Sequence, residues 1–194
     1  MRIALLGGTF NPVHYGHLVI AEAARESCHL DRVVFVPAGL PPQKKAPKTP
    51  AAHRLAMLRL AVRGNRAFAV SDWEIQRKRV VYTYETLEHF RKVWPRAALY
   101  FILGSDSLKN LPHWREPQRL RRLCRFVAFP RIDAYASSDI RRRVRRGQSI
   151  RYRVPQAVER YIRKHALYRE RPAVIASGAK RSVGQIASSL RSSQ

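Results

Sequence analysis

Two histidines lie three residues apart in a glycine-rich segment that follows a short apolar run near the start of the chain. This spacing lets one helical turn or a tight loop point His14 and His17 the same way. Gly7, Gly8 and Gly16 let the backbone approach a phosphate closely, and a helix beginning here would present free N–H groups to it. An isolated histidine pair is more often structural, but paired imidazoles at a helix start can stabilise phosphate charge in a transition state. The segment therefore predicts a phosphate site.

The elements that must position this segment alternate along the chain. Short β-rich runs predict strands at 3–6, 32–36, 67–70, 99–103 and 125–129. Helical periodicity, prolines and caps predict helices at 18–28, 52–62, 83–94, 116–123, 138–146 and 155–165. For the helix at 138–146, Ser137 or Ser138 is the predicted N-cap and Gly147 the predicted stop. Strands separated by helices indicate parallel βαβ units. We therefore predict an α/β fold, a Rossmann-like doubly wound parallel sheet of about five strands with helices on both faces and C-terminal helices.

The predicted sheet gathers the polar segments at one place. In open α/β sheets, ligands bind beyond the carboxyl ends of the strands. Polar or glycine-rich residues follow four predicted strands, at 7–17, 37–44, 71–74 and 104–107. One composite site is expected there, within a domain at 1–168. Residues 169–194, rich in Ser, Ala, Gly and Arg, are expected to form a disordered or loosely attached tail.

Residues 8–17, G-T-F-N-P-V-H-Y-G-H, resemble the signature of the H-x-G-H nucleotidyltransferase superfamily, and within it the bacterial nicotinate-nucleotide adenylyltransferase family. The similarity covers residues 2–129 and resumes at 136–168, with Asn11 where the family usually has Asp. It implies an enzyme of NAD biosynthesis that transfers AMP from ATP to nicotinate mononucleotide, giving nicotinate adenine dinucleotide and pyrophosphate.

Three further segments resemble the acceptor site of this family. The first, residues 37–44, is similar to P-x-x-x-P-P-H-K, with Gln43 replacing the histidine. The second, residues 72–75 followed by 82–87, resembles D-x-E-I and then Y-T-x-D-T-L. The third, residues 104–107 with Trp114 downstream, resembles G-x-D-S…W. Taken alone, Asp106 also fits a helix cap and Trp114 a core residue. The resemblance implies Thr83 backbone groups on the pyridine carboxylate, Asp106 on the ribose and Trp114 stacked on the ring. The implied nicotinate mononucleotide ligands are Gly39, Lys44, Asp72, Thr83, Gly104, Asp106 and Trp114.

Residues 136–141, A-S-S-D-I-R, resemble the family motif I-S-S-T-D-I-R, which implies hydroxyls and an arginine on the ATP β- and γ-phosphates. The implied ATP ligands are Gly7, Gly8, Thr9, Phe10, His14, Gly16, His17, Ser137, Ser138 and Arg141. The implied catalytic residues are His14, His17, Lys44 and Arg141. Mg²⁺ is expected to accompany ATP, and no separate metal site is predicted. The family has a few tens of residues before this motif, whereas only 132–136 precede it here, which predicts a smaller sheet or a rearranged path.

The charge leaves other functions open. The chain has 38 Lys and Arg against 13 Asp and Glu, a formal charge of +25. Such an excess fits phosphorylated substrates and compositional drift, and also nucleic acid, which we regard as the less favoured partner. The alternatives are another adenylyltransferase, acting on nicotinamide mononucleotide or phosphopantetheine, and a non-catalytic basic nucleic-acid-binding protein. Pantetheine enzymes usually have Thr at the position of His14, which argues against that acceptor.

Location and assembly are predicted more coarsely. No apolar run approaches the length of a membrane span, about 20 residues, and the N-terminus lacks a secretory pattern. A cytoplasmic location without membrane partners is therefore expected. Whether the chain forms a homo-oligomer stays open. Cys28 and Cys124 form no C-x-x-C pair, so the sequence indicates neither a disulfide framework nor a zinc site.

Overall fold

A computed structural model describes residues 1–41, 47–130, 132 and 135–169. Within these ranges the strands are β1 (Arg2–Gly8), β2 (Arg32–Pro37), β3 (Phe68–Val70), β4 (Ala98–Gly104) and β5 (Arg125–Phe129). The α-helices are α1 (Tyr15–Ser27), α2 (Ala51–Val62), α3 (Trp73–Gln76), α4 (Thr83–Val93), α5 (Ser105–Lys109), α6 (Pro117–Leu123), α7 (Ser137–Arg145) and α8 (Gln156–Lys164). A 3₁₀ turn, Leu111–His113, joins α5 to α6.

The strands of the described part form one parallel sheet in the order β3-β2-β1-β4-β5. β1 lies at its centre, with Leu5 opposite Val34 on one side and Phe101 on the other. The chain builds outward from β1 to β3 and then returns to place β4 on the other side of β1. This reversal opens a crevice between the loops after β1 and β4, where ligands of doubly wound sheets bind. The predicted Rossmann-like sheet of about five strands is confirmed.

Both faces of the sheet are buried, as the uninterrupted apolar strands predict. Ala4 and Leu6 of β1 face a core built with α1, α2, α7 and α8, whereas Ile3 and Leu5 face a second core built with α4 and α6. The two cores give the sheet the rigidity that a site at its carboxyl edge requires. The predicted helices are present with ends shifted by a few residues, and the largest shift is at α1, which begins at Tyr15 directly within the histidine segment.

Local signals at α7 were partly misleading. Gly147, with φ +66°, ends the helix as predicted. The predicted serine cap at its start is wrong, because the N-cap is Ala136 and the hydroxyl of Ser137 donates instead to the carbonyl of Pro12, at 2.8 Å. The short helices α3 and α5 were not predicted, since four or five residues are too few to show a period.

The short connection after β5 still brings α7 to the site. β5 is an edge strand of the described sheet, and α7 begins eight residues after it ends. Ile140 of α7 is fully buried in the same core as Ala4 and Leu6, so the helix packs beneath the β1 loop. The described sheet ends at β5, which agrees with the smaller sheet, one of the two outcomes that the sequence left open.

Across the described residues, no helix combines the length and apolar character that a membrane crossing needs. All but Arg169 of the predicted tail, 169–194, lies outside the described residues, and the division at 168 stays a prediction.

Candidate active site

A cleft of about 2270 Å³ opens over the carboxyl ends of β1 and β4. Its walls come from the β1 loop, the start of α4, the segment after β4, the start of α7 and the residues that follow α8. Sites for one drug-sized ligand are usually about 300–1,000 Å³. The cleft therefore has room for two nucleotide-sized molecules side by side.

The two histidines of the β1 loop form a stacked pair on the wall of this cleft. Their ring centroids are 3.7 Å apart with an interplanar angle of 28°. His14 caps α1, and His17 lies in its first turn. Phe10, which is 2% exposed, packs its ring against His17 at 4.9 Å and fixes that side of the pair. Both imidazoles thus share one environment at the start of α1, where the backbone N–H groups of Tyr15 and His17 already donate to the carbonyls of Arg153 and His14.

Hydrogen bonding determines the tautomer of His17. The backbone N–H of His14 donates to Nδ1 of His17 at 3.3 Å, so Nδ1 is unprotonated and the neutral ring carries its proton on Nε2. Burial, followed by the neighbouring charge of His14, lowers the pKa of His17 well below its usual value, and burial lowers the pKa of His14 to about 4. Both rings are therefore neutral at pH 7, and His17 can donate Nε2–H to an oxygen.

The β1 loop is held by side chains from distant parts of the chain. Arg141 Nη1 donates to the carbonyl of Asn11 at 2.7 Å, beside the Ser137–Pro12 contact. The hydroxyl of Tyr168 donates to Asn11 Oδ1 at 2.8 Å. α7 and the C-terminal segment therefore fix the backbone that carries the histidines.

A buried arginine supports the same loop from below. Arg54 of α2 is 1% exposed and donates to the carbonyl of Thr9 at 2.8 Å and to the carbonyl of Gly39 at 3.1 Å. A Cβ at Gly39 would lie 2.7 Å from the carbonyl oxygen of Glu74, so only glycine fits there without a shift. Arg54 thereby ties the loop after β1 to the loop after β2.

The other end of the cleft is lined by the start of α4. Thr83 opens this helix, whose first turn offers unpaired backbone N–H groups to an anion. The guanidinium of Arg115 lies 4.7 Å from the ring centre of Tyr82, and Trp114 stands edge-on to Phe101 at 6.2 Å. This end of the cleft combines aromatic surface with positive charge.

A carboxyl group with a raised pKa lines this end of the cleft. Glu74 Oε1 accepts a hydrogen bond from the hydroxyl of Thr86 at 2.6 Å. Burial raises the pKa of Glu74 to about 7, against the opposing effect of that hydrogen bond. It is the one carboxylate on the described wall of the cleft, so the wall carries little negative charge near neutral pH.

Most of the predicted site residues come together on the cleft wall. Those lining it are Gly7, Gly8, Thr9, Phe10, His14, Gly16, His17, Thr83, Gly104, Trp114, Ser137, Ser138 and Arg141.

Three predicted acceptor residues lie off the wall, and one cannot be placed. Gly39 sits behind the wall as the partner of Arg54, and Asp72 pairs with Arg59 at 3.2 Å. Asp106 lies in α5, where Ser107 lines the cleft instead. Lys44 falls outside the described residues.

Sequence reasoning missed Arg54, Arg115 and Tyr168, whereas Glu74 lies in the 72–75 segment that resembles the family motif. Arg115 directly follows Trp114 of a recognised motif, so its position was an available signal. Arg54 and Tyr168 carried no local signal, because their partners lie 45 and 157 residues away. In the described ranges, no group of three or more His, Cys, Asp or Glu side chains is arranged to hold a metal ion.

Comparison with known proteins identifies the family. A family model described as cytidylyltransferase-like matches residues 5–179. A relative from Thermomicrobium roseum is 41% identical, covering 94% of this chain and 99% of its own, and one from Synechococcus sp. (strain JA-2-3B'a(2-13)) is 42% identical, covering 86% and 96%. Both carry the name "Probable nicotinate-nucleotide adenylyltransferase". The chain belongs to the nicotinate-nucleotide adenylyltransferase family. Its members are nucleotidyltransferases, as the sequence predicted.

Solved structures support the same fold. A Vibrio parahaemolyticus protein assigned as a nicotinate-nucleotide adenylyltransferase aligns with a TM-score of 0.75 at 24% identity, covering 88% of this chain and 98% of that one. The Plasmodium falciparum nicotinic acid mononucleotide adenylyltransferase complexed with NaAD aligns with a TM-score of 0.71 at 18% identity, covering 86% and 97%. At these identities the likeness establishes the architecture alone.

The relatives also bear on the short connection. The alignment with the Thermomicrobium roseum protein extends over 211 residues, more than the 194 of this chain, so the relative contains internal residues without a counterpart here. A shortened link between β5 and α7 would produce such a difference.

The buried arginine makes a first prediction. Arg54→Met leaves the carbonyls of Thr9 and Gly39 without their donor, and an orphaned buried group costs about 1–3 kcal/mol. We expect the free energy of unfolding to fall by roughly 2–4 kcal/mol in urea denaturation. Arg59→Met, on the same helix but exposed, is the control and should change it by less than about 0.5 kcal/mol. Equal losses in the two variants would contradict the bridging role.

The raised pKa of Glu74 makes a second prediction. Between pH 4.5 and 7 folded Glu74 holds a proton that the unfolded chain releases, so its contribution to stability is lost as the pH rises through this window. Glu74→Gln avoids that loss. Its unfolding free energy, minus that of the wild type, should be roughly 2 kcal/mol greater at pH 8 than at pH 5.

Urea denaturation at the two pH values measures this difference. His14 and His17 titrate alike in the wild type and in Glu74→Gln, so their opposite effect on the pH dependence of stability cancels in the difference. Glu26→Gln, at an exposed carboxylate, serves as the control and should show no such trend. The same difference at both pH values for Glu74→Gln would show that this group titrates normally.

Proposed function

We propose that this chain transfers AMP from ATP to nicotinate mononucleotide, giving nicotinate adenine dinucleotide and pyrophosphate. The observation that carries the proposal is the stacked pair of neutral imidazoles at the start of α1, on the wall of a cleft large enough for both substrates. Membership of the family supports the same reaction.

The reaction needs no protein nucleophile. A phosphate oxygen of nicotinate mononucleotide forms a bond to the α-phosphorus of ATP, while the bond to the bridging oxygen breaks and pyrophosphate leaves with that electron pair. Catalysis is then positioning and charge stabilisation. His17, with its proton on Nε2, would donate to an α-phosphate oxygen, and His14 beside it would do the same. Phosphate charge close by raises the pKa of an imidazole and so strengthens this contact.

The triphosphate would extend from the histidines toward α7. Ser137, Ser138 and Arg141 line the cleft there, and a guanidinium has five N–H donors, so Arg141 can keep its contact to Asn11 and still bind phosphate. The described wall suits phosphate better than a bare cation, since Glu74 is its one carboxylate. We therefore propose that Mg²⁺ enters with ATP, bound through substrate oxygens and water.

The acceptor would occupy the end of the cleft near α4. A pyridine carboxylate there would meet the N–H groups at Thr83 and the positive charge of Arg115, while Trp114 supplies a ring for stacking. A carboxylate gains more from both contacts than a carboxamide does. The proposed acceptor is accordingly the nicotinate form. Lys44 on its phosphate, and a cytoplasmic location, stay predictions from the sequence.

Substitution of His17 tests the catalytic role. Asparagine keeps an oxygen near the position of Nδ1, so the contact from the His14 N–H can persist, but it lacks Nε2–H. We expect His17→Asn to lower kcat for pyrophosphate release from ATP and nicotinate mononucleotide at least about a hundredfold, as when an oxyanion donor is lost. Glutamine carries an amide near the position of Nε2, and His17→Gln should recover part of the rate. Full activity in His17→Asn would refute the role.

Acceptor choice is tested at Arg115. Losing a charge at the carboxylate end should reduce the preference for the nicotinate over the nicotinamide mononucleotide about tenfold, which corresponds to about 1.4 kcal/mol. The measurement is the ratio of kcat/KM for the two acceptors in Arg115→Gln. Arg119→Gln, whose guanidinium lies over Tyr84 and off the described cleft wall, is the matched control and should keep the wild-type ratio. An unchanged ratio in Arg115→Gln would place the selectivity elsewhere.

A further inference from the structure

The edge of the sheet opposite the cleft carries a row of arginines. Each strand either begins with an arginine or has an arginine two residues before its first residue. In the order of the sheet these amino-edge arginines are Arg66, Arg32, Arg2, Arg96 and Arg125. All five residues are exposed.

The strand register gives these arginines a stepped arrangement along one edge. Arg2 lies opposite Ala98, two residues after Arg96, and Arg32 lies opposite Ile3, the neighbour of Arg2. Arg125 lies opposite Tyr100, four residues after Arg96, so these two neighbours are offset by about 13 Å along the strand direction. Neighbouring strands are about 4.8 Å apart, so the row spans about 19 Å. Because all the strands are parallel, the row is at the far end of the sheet from the cleft.

A groove of about 320 Å³ continues the row at its β5 end. Arg121, Arg122 and Arg125 line it together with Arg91, whose guanidinium is already bound to the carbonyls of Ala97 and Leu123. The described lining of this groove includes no carboxylate. Arg121, Arg122 and Arg125 are exposed, and no carboxylate of the described part pairs with them.

The charge of this edge exceeds what the composition predicts. Its segments are residues 1–2, 29–32, 63–67, 94–98 and 121–125, and their arginines are Arg2, Arg32, Arg63, Arg66, Arg96, Arg121, Arg122 and Arg125. Against these the same segments contain one acid, Asp31, whose carboxylate accepts the backbone N–H of Arg2 at 2.6 Å. Over the whole chain, 38 basic residues face 13 acidic ones. At the average of the whole chain, a stretch of this length would carry about four basic residues and one acidic residue, so the edge has about twice the expected number of basic residues.

We propose that the amino edge binds the phosphate backbone of duplex nucleic acid without sequence preference. Planar guanidinium groups match phosphate geometry, and a row of them across several strands can contact successive phosphates. Single-strand binders add exposed aromatic rings on which bases stack. In the described edge segments the one Trp, Tyr or Phe is Trp94, which is half-buried against Phe90. The surface therefore favours backbone contacts over base contacts.

Two triple variants with the same loss of charge test this surface. One replaces Arg32, Arg96 and Arg125 with Gln. The control replaces Arg146, Arg151 and Arg160, exposed residues around α7 and α8, with Gln. Binding of a labelled 20-base-pair DNA of arbitrary sequence is followed by fluorescence anisotropy between 50 and 200 mM NaCl.

We expect the edge variant to raise Kd at 100 mM NaCl at least tenfold and the control to raise it less than threefold. Each phosphate contact contributes about 0.9 to the slope of log K against log salt, so the edge variant should reduce that slope by about 2–3. Wild-type binding should survive saturating ATP. Both variants should keep the circular dichroism and the melting temperature of the wild type, which separates lost contacts from misfolding.

Several outcomes would overturn the proposal. These are absence of wild-type binding at 50 mM NaCl, equal weakening in both variants, or displacement of the DNA by ATP, which would place binding at the cleft. Tighter binding to vesicles with anionic lipid than to DNA would assign the edge to a membrane surface. Tighter binding to a single strand than to the duplex would reject the mode of recognition. None of these measurements depends on AMP transfer, so the proposed enzymatic function stands or fails separately.

Discussion

The loop that follows β1 depends on hydrogen-bond donors from elsewhere in the chain. Its carbonyl groups at Thr9, Asn11 and Pro12 each accept a hydrogen bond from a distant side chain, and buried carbonyls that lack a donor are costly. Arg54 satisfies Thr9, Arg141 satisfies Asn11, and Ser137 satisfies Pro12. The stacked histidines follow directly, so their geometry exists because α2 and α7 hold the backbone ahead of them. This constraint links the cores on which those helices pack to the chemistry of the cleft.

The same contacts give Ser137 and Arg141 of α7 different capacities to bind a triphosphate. The guanidinium of Arg141 has donors to spare, whereas the hydroxyl of Ser137 has one proton to donate, and it is used on Pro12. The Ser137 hydroxyl can therefore donate to phosphate only by releasing Pro12, while the Arg141 guanidinium can donate to the loop and to phosphate at once. In this geometry Arg141 is the stronger candidate for a permanent phosphate contact, and Ser137 for a residue that supports the loop.

The fold followed from the sequence because its signals are local. Runs such as the one in β1 are apolar on both faces, and the prolines and glycines between elements mark where each ends. The histidine segment was equally legible, since its residues are contiguous. The roles of Arg54 and Tyr168 could not be predicted, because a buried cation or hydroxyl is recognised only when its partner is known. Their partners lie 45 and 157 residues away in the sequence. The serine cap of α7 failed for a related reason, since a tertiary acceptor at Pro12 outcompeted the local one.

Parallel strands place all their carboxyl ends at one edge of the sheet and all their amino ends at the other. In this sheet the carboxyl edge is buried and nearly neutral, whereas the amino edge is exposed and strongly positive. At the carboxyl edge, burial keeps both histidines neutral and raises the pKa of Glu74 to about 7. The described wall therefore repels anionic substrates only weakly, and it attracts them through N–H groups and a few arginines. At the amino edge, the arginines remain in water, and the repulsion between them is weakened by solvent and salt. Such a row is tolerable while solvated, and it becomes stabilising when a polyanion replaces its counterions. Substitutions that change the charge of the amino edge should therefore leave the neutral histidine pair at the carboxyl edge undisturbed.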